Sequence, residues 1–325
     1  MEIASYLKLM AKKKASDLFI SADARVNIKV DGVSLPIGDT ALQGKQVRDM
    51  AYALMDSDQI REFETNWESN LSLTLPGIGR FRVNIFRQRG SVAMVIRYIK
   101  DQIPSIEELN LPLILKELIT EPRGLILVVG ATGSGKSTTL AAMIDHRSKH
   151  TPGHILTIED PIEYIYQHRR AVVNQREVGT DTKSYANALK SAMREAPDVI
   201  MIGEVRDADT MQHALAYSET GHLCLSTLHA NNANQALERI INFFPDTAHR
   251  QLLADLSLNL RAVISMRLLQ DTESGRVPAV EVMLLSRYVS ELIRKGEIRG
   301  LKEAIAQSEV HGMQTFDQSL YELYQ

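Results

Sequence analysis

Residues 130–137 read Gly-Ala-Thr-Gly-Ser-Gly-Lys-Ser, and the spacing of Gly130, Gly135, Lys136 and Ser137 is that of a phosphate-binding loop. Each residue type has a chemical reason. Glycines let backbone N–H groups turn inward around phosphate oxygens, and a helix starting at the loop's end adds partial positive charge. Lys136 can reach the β- and γ-phosphates, and the Ser137 hydroxyl can ligate Mg²⁺. The residues expected to meet phosphate are Gly130, Thr132, Gly133, Ser134, Gly135, Lys136, Ser137 and Thr138. The loop predicts binding of a nucleoside triphosphate.

Cleaving a triphosphate also needs a metal-holding acid, a group to activate water and cations for the γ-phosphate charge. Glu204 follows the apolar run Val199-Ile-Met-Ile-Gly203, the position of a metal-holding acid at a strand end. Glu159, Asp160 and Glu163 cluster in Ile-Glu-Asp-Pro-Ile-Glu, and the residue pattern leaves open which of them activates water. His222 and His229 flank the run Leu223–Leu228. They read as core histidines or as groups that sense the γ-phosphate, whereas a metal site lacks a third soft ligand. Arg206 and Arg239 are candidates for charge compensation or ordinary surface arginines.

The elements that must hold these residues follow from periodicity. Gly124–Gly130 is an apolar run of strand length, and the residues from Thr138 suit a helix, which is the context a genuine phosphate loop requires. From Arg123 onward, apolar strand-like runs at 154–160, 198–204 and 223–227 alternate with helical patterns, predicting a parallel sheet covered on both faces. Each run ends in polar groups, where ligands of open α/β sheets bind. Beyond about residue 250 the spacing of Leu252, Leu253, Leu256 and Leu260 predicts a helical region. Upstream, a helix over the first dozen residues precedes short alternating strands, with an Asp31-Gly32 turn and a helical stretch from Gly44 to Phe63. In Arg80–Phe86, Phe81, Val83 and Ile85 fall on one face, with Arg80, Arg82 and Asn84 on the other. A partner run, 92–99, contributes Arg97. This basic face reads either as solvated sheet or as a surface for phosphate or a neighbouring subunit. Pro104, Pro112 and Pro122 mark a connector, so the expected domains are 1–100, a linker 101–122, and 123–325.

Composition narrows the class. With 37 basic and 40 acidic residues, net charge is −3, and no global field argues for nucleic acid. No apolar stretch approaches the ~18 residues that span a bilayer, and Met1–Lys8 lacks the pattern of a secretion signal. A single cysteine, Cys224, excludes an intrachain disulfide and a four-cysteine zinc site. The expected compartment is the cytoplasm.

Taken together, the segments resemble four boxes of the secretion and type IV pilus ATPases. They are Gly-Ala-Thr-Gly-Ser-Gly-Lys-Ser-Thr (Walker A), Ile-Leu-Thr-Ile-Glu-Asp-Pro-Ile-Glu (Asp box), Ile-Gly-Glu-Val-Arg-Asp (Walker B) and Thr-Gly-His-Leu-Cys-Leu-Ser-Thr-Leu-His-Ala-Asn-Asn-Ala (His box). Ala15–Ile20 and Gly79–Asn84 resemble the family's N-terminal domain. The short N-terminal region and the lack of a four-cysteine site are similar to the retraction branch, the PilT/PilU class. Residues 225–237 and Phe316–Gln325 are more similar to its PilU side. One departure stands out. Where retraction motors carry Ala-Ile-Arg-Asn-Leu-Ile-Arg-Glu, this chain has Tyr288-Val-Ser-Glu-Leu-Ile-Arg-Lys295, keeping only the second half. Relatives also continue into a charged tail beyond the position of residue 325, so further residues are expected in the native protein.

The resemblance implies an α/β fold: a PAS-like α+β N-terminal domain, then a RecA-like ATPase domain with a helical C-terminal region. It implies ATP and Mg²⁺ as cofactors and a homohexamer with ATP bound between subunits. Carried over by residue, Lys136 and Ser137 bind phosphate and metal, Glu163 activates water and Glu204 is the Walker B acid and a metal ligand. His222 and His229 are His-box residues, and Arg82 and Arg97 are candidate arginine fingers. The implied partners are the pilus platform protein of the inner membrane and the paralogous retraction ATPase PilT, with the ring at the cytoplasmic face of that membrane and no nucleic acid expected. Two other classes compete with a retraction motor: a nucleic-acid-translocating ATPase, and an adaptor ring whose hydrolysis is secondary.

Overall fold

The structure, a computed structural model, describes residues 3–30, 32–99, 102–271, 275–308 and 310–325. Asp31 of the predicted turn, and residues 100 and 101 at the predicted domain boundary, lie outside the described residues. The chain divides into two units, residues 1–102 and 103–325.

The first unit contains α1 (Ile3–Lys12), β1 (Asp17–Ser21), β2 (Val26–Val30), β3 (Val33–Ile37), α2 (Gly44–Tyr52), α3 (Ser57–Asn66), β4 (Glu68–Leu75), β5 (Gly79–Gln88) and β6 (Ser91–Ile99). The strands form one antiparallel sheet in the order β3-β2-β1-β6-β5-β4. Strand alternation sends Leu18, Ile20, Phe81, Val83, Ile85, Met94 and Ile96 into a core with Leu7, Met10, Val47, Ala51 and Phe63 of the helices. On β5 the residues of the opposite face, Arg80, Arg82 and Asn84, are partly exposed. Across three strands, Arg82 is in register with Arg97, and Arg97 with Asp17. The predicted single helix from Gly44 to Phe63 is two helices. The first ends at Tyr52 with Ala53 as its C-cap, and Asp56 caps the second: its carboxylate accepts from the N–H groups of Asp58 and Gln59, and the Gln59 side chain returns to the Asp56 N–H.

The second unit contains α4 (Ile114–Leu118), β7 (Gly124–Gly130), α5 (Lys136–His150), β8 (Gly153–Glu159), β9 (Ala171–Glu177), α6 (Tyr185–Ala192), β10 (Val199–Ile202), α7 (Ala208–Glu219), β11 (Leu223–Leu228), α8 (Ala233–Asn242), α9 (His249–Asn259), β12 (Leu260–Gln270), β13 (Arg276–Leu284), α10 (Arg287–Lys295), α11 (Leu301–Ala306) and α12 (Phe316–Tyr324). Its sheet runs β13-β12-β7-β11-β10-β8-β9, parallel except for β13. All of β7 is buried. Leu125, Leu127 and Val129 face one apolar layer, and Ile126 and Val128 face the other. That two-sided burial explains the continuous apolar strands.

Two expectations change here. Ile106, Leu111, Leu115, Leu118 and Ile119 are buried in the second unit's core, so residues 103–122 are part of that domain and not a linker. The region after 250 is not wholly helical either. The leucine stripe belongs to α9 up to Leu256, but Leu260 opens β12, which pairs with β7 and folds back as β13. Among the described residues, no helix is long and apolar enough to cross a membrane.

Candidate active site

The phosphate loop leaves β7 at Gly130 and enters α5 at Lys136. A Cβ on Gly130 would lie 2.3 Å from Ser134 Oγ and 2.7 Å from the Met266 carbonyl, so a side chain is excluded there. Gly133 and Gly135 take left-handed φ values of 78° and 98°, which turn the loop back into the helix. The free N–H groups of the first turn of α5 therefore open onto the loop. Lys136 Nζ donates to the carbonyls of Gly130 and Ala131, 2.9 Å each, spanning the loop. Burial pushes the Lys136 ammonium below its ordinary pKa, and the charge of Glu204 partly offsets this.

The donors fit a polyphosphate. Ser134 Oγ is buried with no hydrogen-bond partner, a donor that a phosphate oxygen would satisfy. Ser137 is exposed at the start of α5. Thr138 Oγ1 lies 2.8 Å from Tyr164 Oη, tying α5 to the segment that follows β8. No group of three or more His, Cys, Asp or Glu that could hold a metal occurs among the described residues. Mg²⁺ takes one or two protein oxygens and completes its shell with phosphate and water, and the Ser137 hydroxyl and Glu204 carboxylate are oxygens of that kind.

Glu204 follows β10, one strand over from β11, which pairs with β7. β11 shapes this end: Ser226 Oγ donates to the Ile202 carbonyl and Thr227 Oγ1 to the Gly203 carbonyl, both at 2.7 Å. Arg206 Nε donates to Glu204 Oε2 at 2.7 Å, and His229 Nε2 lies 3.1 Å from Glu204 Oε1. Arg206 also approaches Asp160, at 3.7 Å. Walker B acid, His-box histidine and Asp-box carboxylate thus meet at the carboxyl ends of β10, β11 and β8. Glu163 is exposed on the segment after β8, whereas Glu159 is buried and burial raises its pKa to about 7, against hydrogen bonds from Thr157 and Gln175.

Not every candidate joins this cluster. His222 precedes β11 at its amino end, level with Gly124, where its Nδ1 lies 3.1 Å from the Tyr217 carbonyl. Seven residues of extended strand separate it from His229 by about 23 Å. Within one protomer His222 is therefore no part of the nucleotide cluster, a correction to the paired reading. Arg239 lies over the Phe243 ring at 5.9 Å and does not enter it. Arg82 and Arg97 belong to the first unit; Arg97 Nε donates to Asp17 Oδ1 at 2.9 Å, and its side chain stays 57% exposed.

Two further residues reach the loop, Asn231 of the His-box segment and Arg267, which carried no signal in the sequence. Asn231 and Arg267, with Ala131–Ser134, line a groove of about 220 Å³ beside the loop, and Arg267 stacks on the Phe316 ring at 4.2 Å. Arg267 sits in β12 with nothing in its spacing to mark it, because the pairing of β12 with β7 is what brings it there.

The family described as Type II/IV secretion system protein matches residues 2–283. The chain belongs to this family. Within it, the chain is 54% identical over 325 residues to the type IV pilus ATPase PilU of Pseudomonas aeruginosa, covering all of this chain and 85% of that one. It is 42% identical over 320 residues to the PilT retraction ATPase of the same organism, covering 98% and 93%. Its fold matches a crystal structure of the pilus retraction motor PilT with bound ADP, with a TM-score of 0.93 and 41% identity over 100% of this chain and 93% of that one. The chain is a family member of the PilT/PilU class, with greater identity to PilU than to PilT. The loop, the Walker B acid and the His box lie inside the matched span.

Proposed function

We propose that this family member is an ATP-hydrolysing motor of type IV pilus retraction, working as a homohexamer at the cytoplasmic face of the inner membrane. The observation that supports it most is the convergence of Lys136, Glu204 and His229 at the ends of adjacent strands, in a chain 54% identical to a pilus ATPase.

The residues divide the work. Loop N–H groups, Ser134 and Lys136 hold the phosphates. Ser137 and Glu204 would hold Mg²⁺, which when bound neutralises charge on the γ-phosphate. Glu163 orients and deprotonates the attacking water, and His229 senses the γ-phosphate beside Glu204. Arg82 and Arg97 of a neighbouring subunit act as arginine fingers, Arg97 held in direction by Asp17. ATP favours a closed arrangement of domains, and about 5.5 kcal/mol of differential affinity shifts a pair of states from 1:99 to 99:1. Sequential closing around the ring drives the inner-membrane platform protein and withdraws pilin, alongside a PilT ring.

The adaptor reading draws on α10. There Tyr288 is 61% exposed and replaces a small residue of the retraction motif, while Leu292 and Ile293 are buried. One experiment separates the two. Pilus retraction force is measured in cells carrying Lys136→Ala in this protein and an intact partner ATPase. Reduced force supports the motor; unchanged force makes the ring an adaptor. Salt-dependent DNA binding with DNA-stimulated hydrolysis would instead indicate a nucleic-acid motor.

A further inference from the structure

We infer that Glu159 is a positioning residue that holds the water-activating Glu163 in place through a buried side-chain frame. This rests on Glu163 being the water activator. Residues 160–168 carry Glu163 but form no helix or strand, so their backbone groups need partners from elsewhere. They find them on side chains at the ends of β8 and β9. The Ile162 N–H donates to Glu177 Oε2 at 3.1 Å, and the Glu163 N–H to Glu159 Oε2 at 3.5 Å. Gln175 closes the frame: its Nε2 donates to Glu159 Oε1 at 3.2 Å and to the Tyr164 carbonyl at 2.8 Å, and its Oε1 accepts from the Tyr166 N–H at 2.9 Å. Thr157 Oγ1 adds a 2.7 Å bond to Glu159 Oε1. Glu159 and Glu177 are directly paired in register across β8 and β9, and are 5% and 6% exposed.

A buried carboxylate with no ion pair among the described residues is costly, so its presence calls for a role. Every hydrogen bond to Glu159 is one it accepts: from Thr157, Gln175 and Glu163. The site is thus drawn for the ionised form, although burial pulls the other way and brings the pKa to about 7. The titratable groups around it are Glu163 on its own segment, Glu177 on β9, Tyr164, Tyr166, Tyr185 of α6, Asp160 with Arg206, and Glu204 past Gly203. A carboxamide at 159 keeps the shape but has one accepting oxygen. Either Thr157 and Gln175 or the Glu163 N–H then faces an NH₂ group.

The test is ATP turnover by the full chain with MgATP between pH 5.5 and 9, for wild type, Glu159→Gln, Gln175→Ala, their double variant and Glu163→Gln. Displacing a catalytic group by about 1 Å can cost about 10²-fold, so Glu159→Gln should lower kcat by about that factor with KM within about twofold. Gln175→Ala should act in the same direction, and the double variant should be no worse than the more damaging single one, because both release one segment. Wild-type kcat should fall on the acid side with a midpoint near pH 7, and Glu159→Gln should lack that limb. Unchanged kcat in both single variants, or a loss matched by fewer ADP-binding sites with the pH profile retained, overturns the inference. Gln175→Ala keeps it testable should Glu159→Gln not fold. Full turnover in Glu163→Gln would instead overturn the assignment of Glu163 itself.

Discussion

The two sheets keep their charged residues in different places. In the antiparallel sheet, Asp17, Arg97 and Arg82 form a row across the face; in the parallel sheet, Glu159, Glu204 and His229 gather at the strand ends. Coverage explains the difference. Helices cover one face of the first sheet, and along β5 every second side chain stays partly exposed. Apolar layers cover both faces of the second, so only the ends are open. A row of charges across an open face and a cluster of charges at strand ends are thus products of the same side-chain periodicity under different burial.

The sharpest break in this comparison is at the strand end. Lys136→Ala should abolish measurable turnover and weaken nucleotide binding about tenfold to a hundredfold, the worth of a charge-assisted hydrogen bond; coupled-assay rates and equilibrium binding of ADP check this. On the open face, the double substitution of Arg82 and Arg97 by alanine should lower turnover by about 10³-fold or more, with nucleotide affinity nearly unchanged. Unaltered turnover would leave that face as solvated sheet. Stability should show the opposite ranking. Leu127→Ala in the doubly covered β7 should cost about 2–5 kcal/mol in denaturant unfolding, and Arg82→Ala within about 0.5 kcal/mol.

Two smaller effects refine the picture. His229→Ala should weaken turnover about tenfold or more by removing a partner of Glu204, whereas His222→Ala should leave ADP affinity within about twofold, being about 23 Å away. The pH dependence of stability carries a sign. Glu159 is raised from 4.5 to about 7 in the folded chain, so the fold binds more protons than the unfolded chain in that window. Its contribution is full below about 4.5 and lost as pH rises through about 7. Glu159→Gln should flatten that slope in thermal melts.

Much of the site was legible because its signals are local. The loop glycines are needed within one strand–turn–helix unit, and the acids follow apolar runs directly. Elsewhere the local signal misled. One apparent helix is two, the second opened by an Asp56 capping box that lies in plain sequence view. The prolines of 104–122 read as a connector, yet their apolar neighbours are core. His222 and His229 bracket one strand symmetrically, and a strand has two ends.

The amino-acid sequence by itself determined the strand–loop–helix of residues 124–150, the acid that follows the apolar strand β10, the alternation that makes β5 two-faced and the family, since each is a short-range pattern with its own chemical reason. Tertiary structure alone decided which histidine reaches Glu204, that Arg267 flanks the loop, and that Glu159, Glu177 and Gln175 frame the segment bearing Glu163. Those relations join residues on different strands, and strand order and register set them through hydrogen bonding and burial that no single segment encodes.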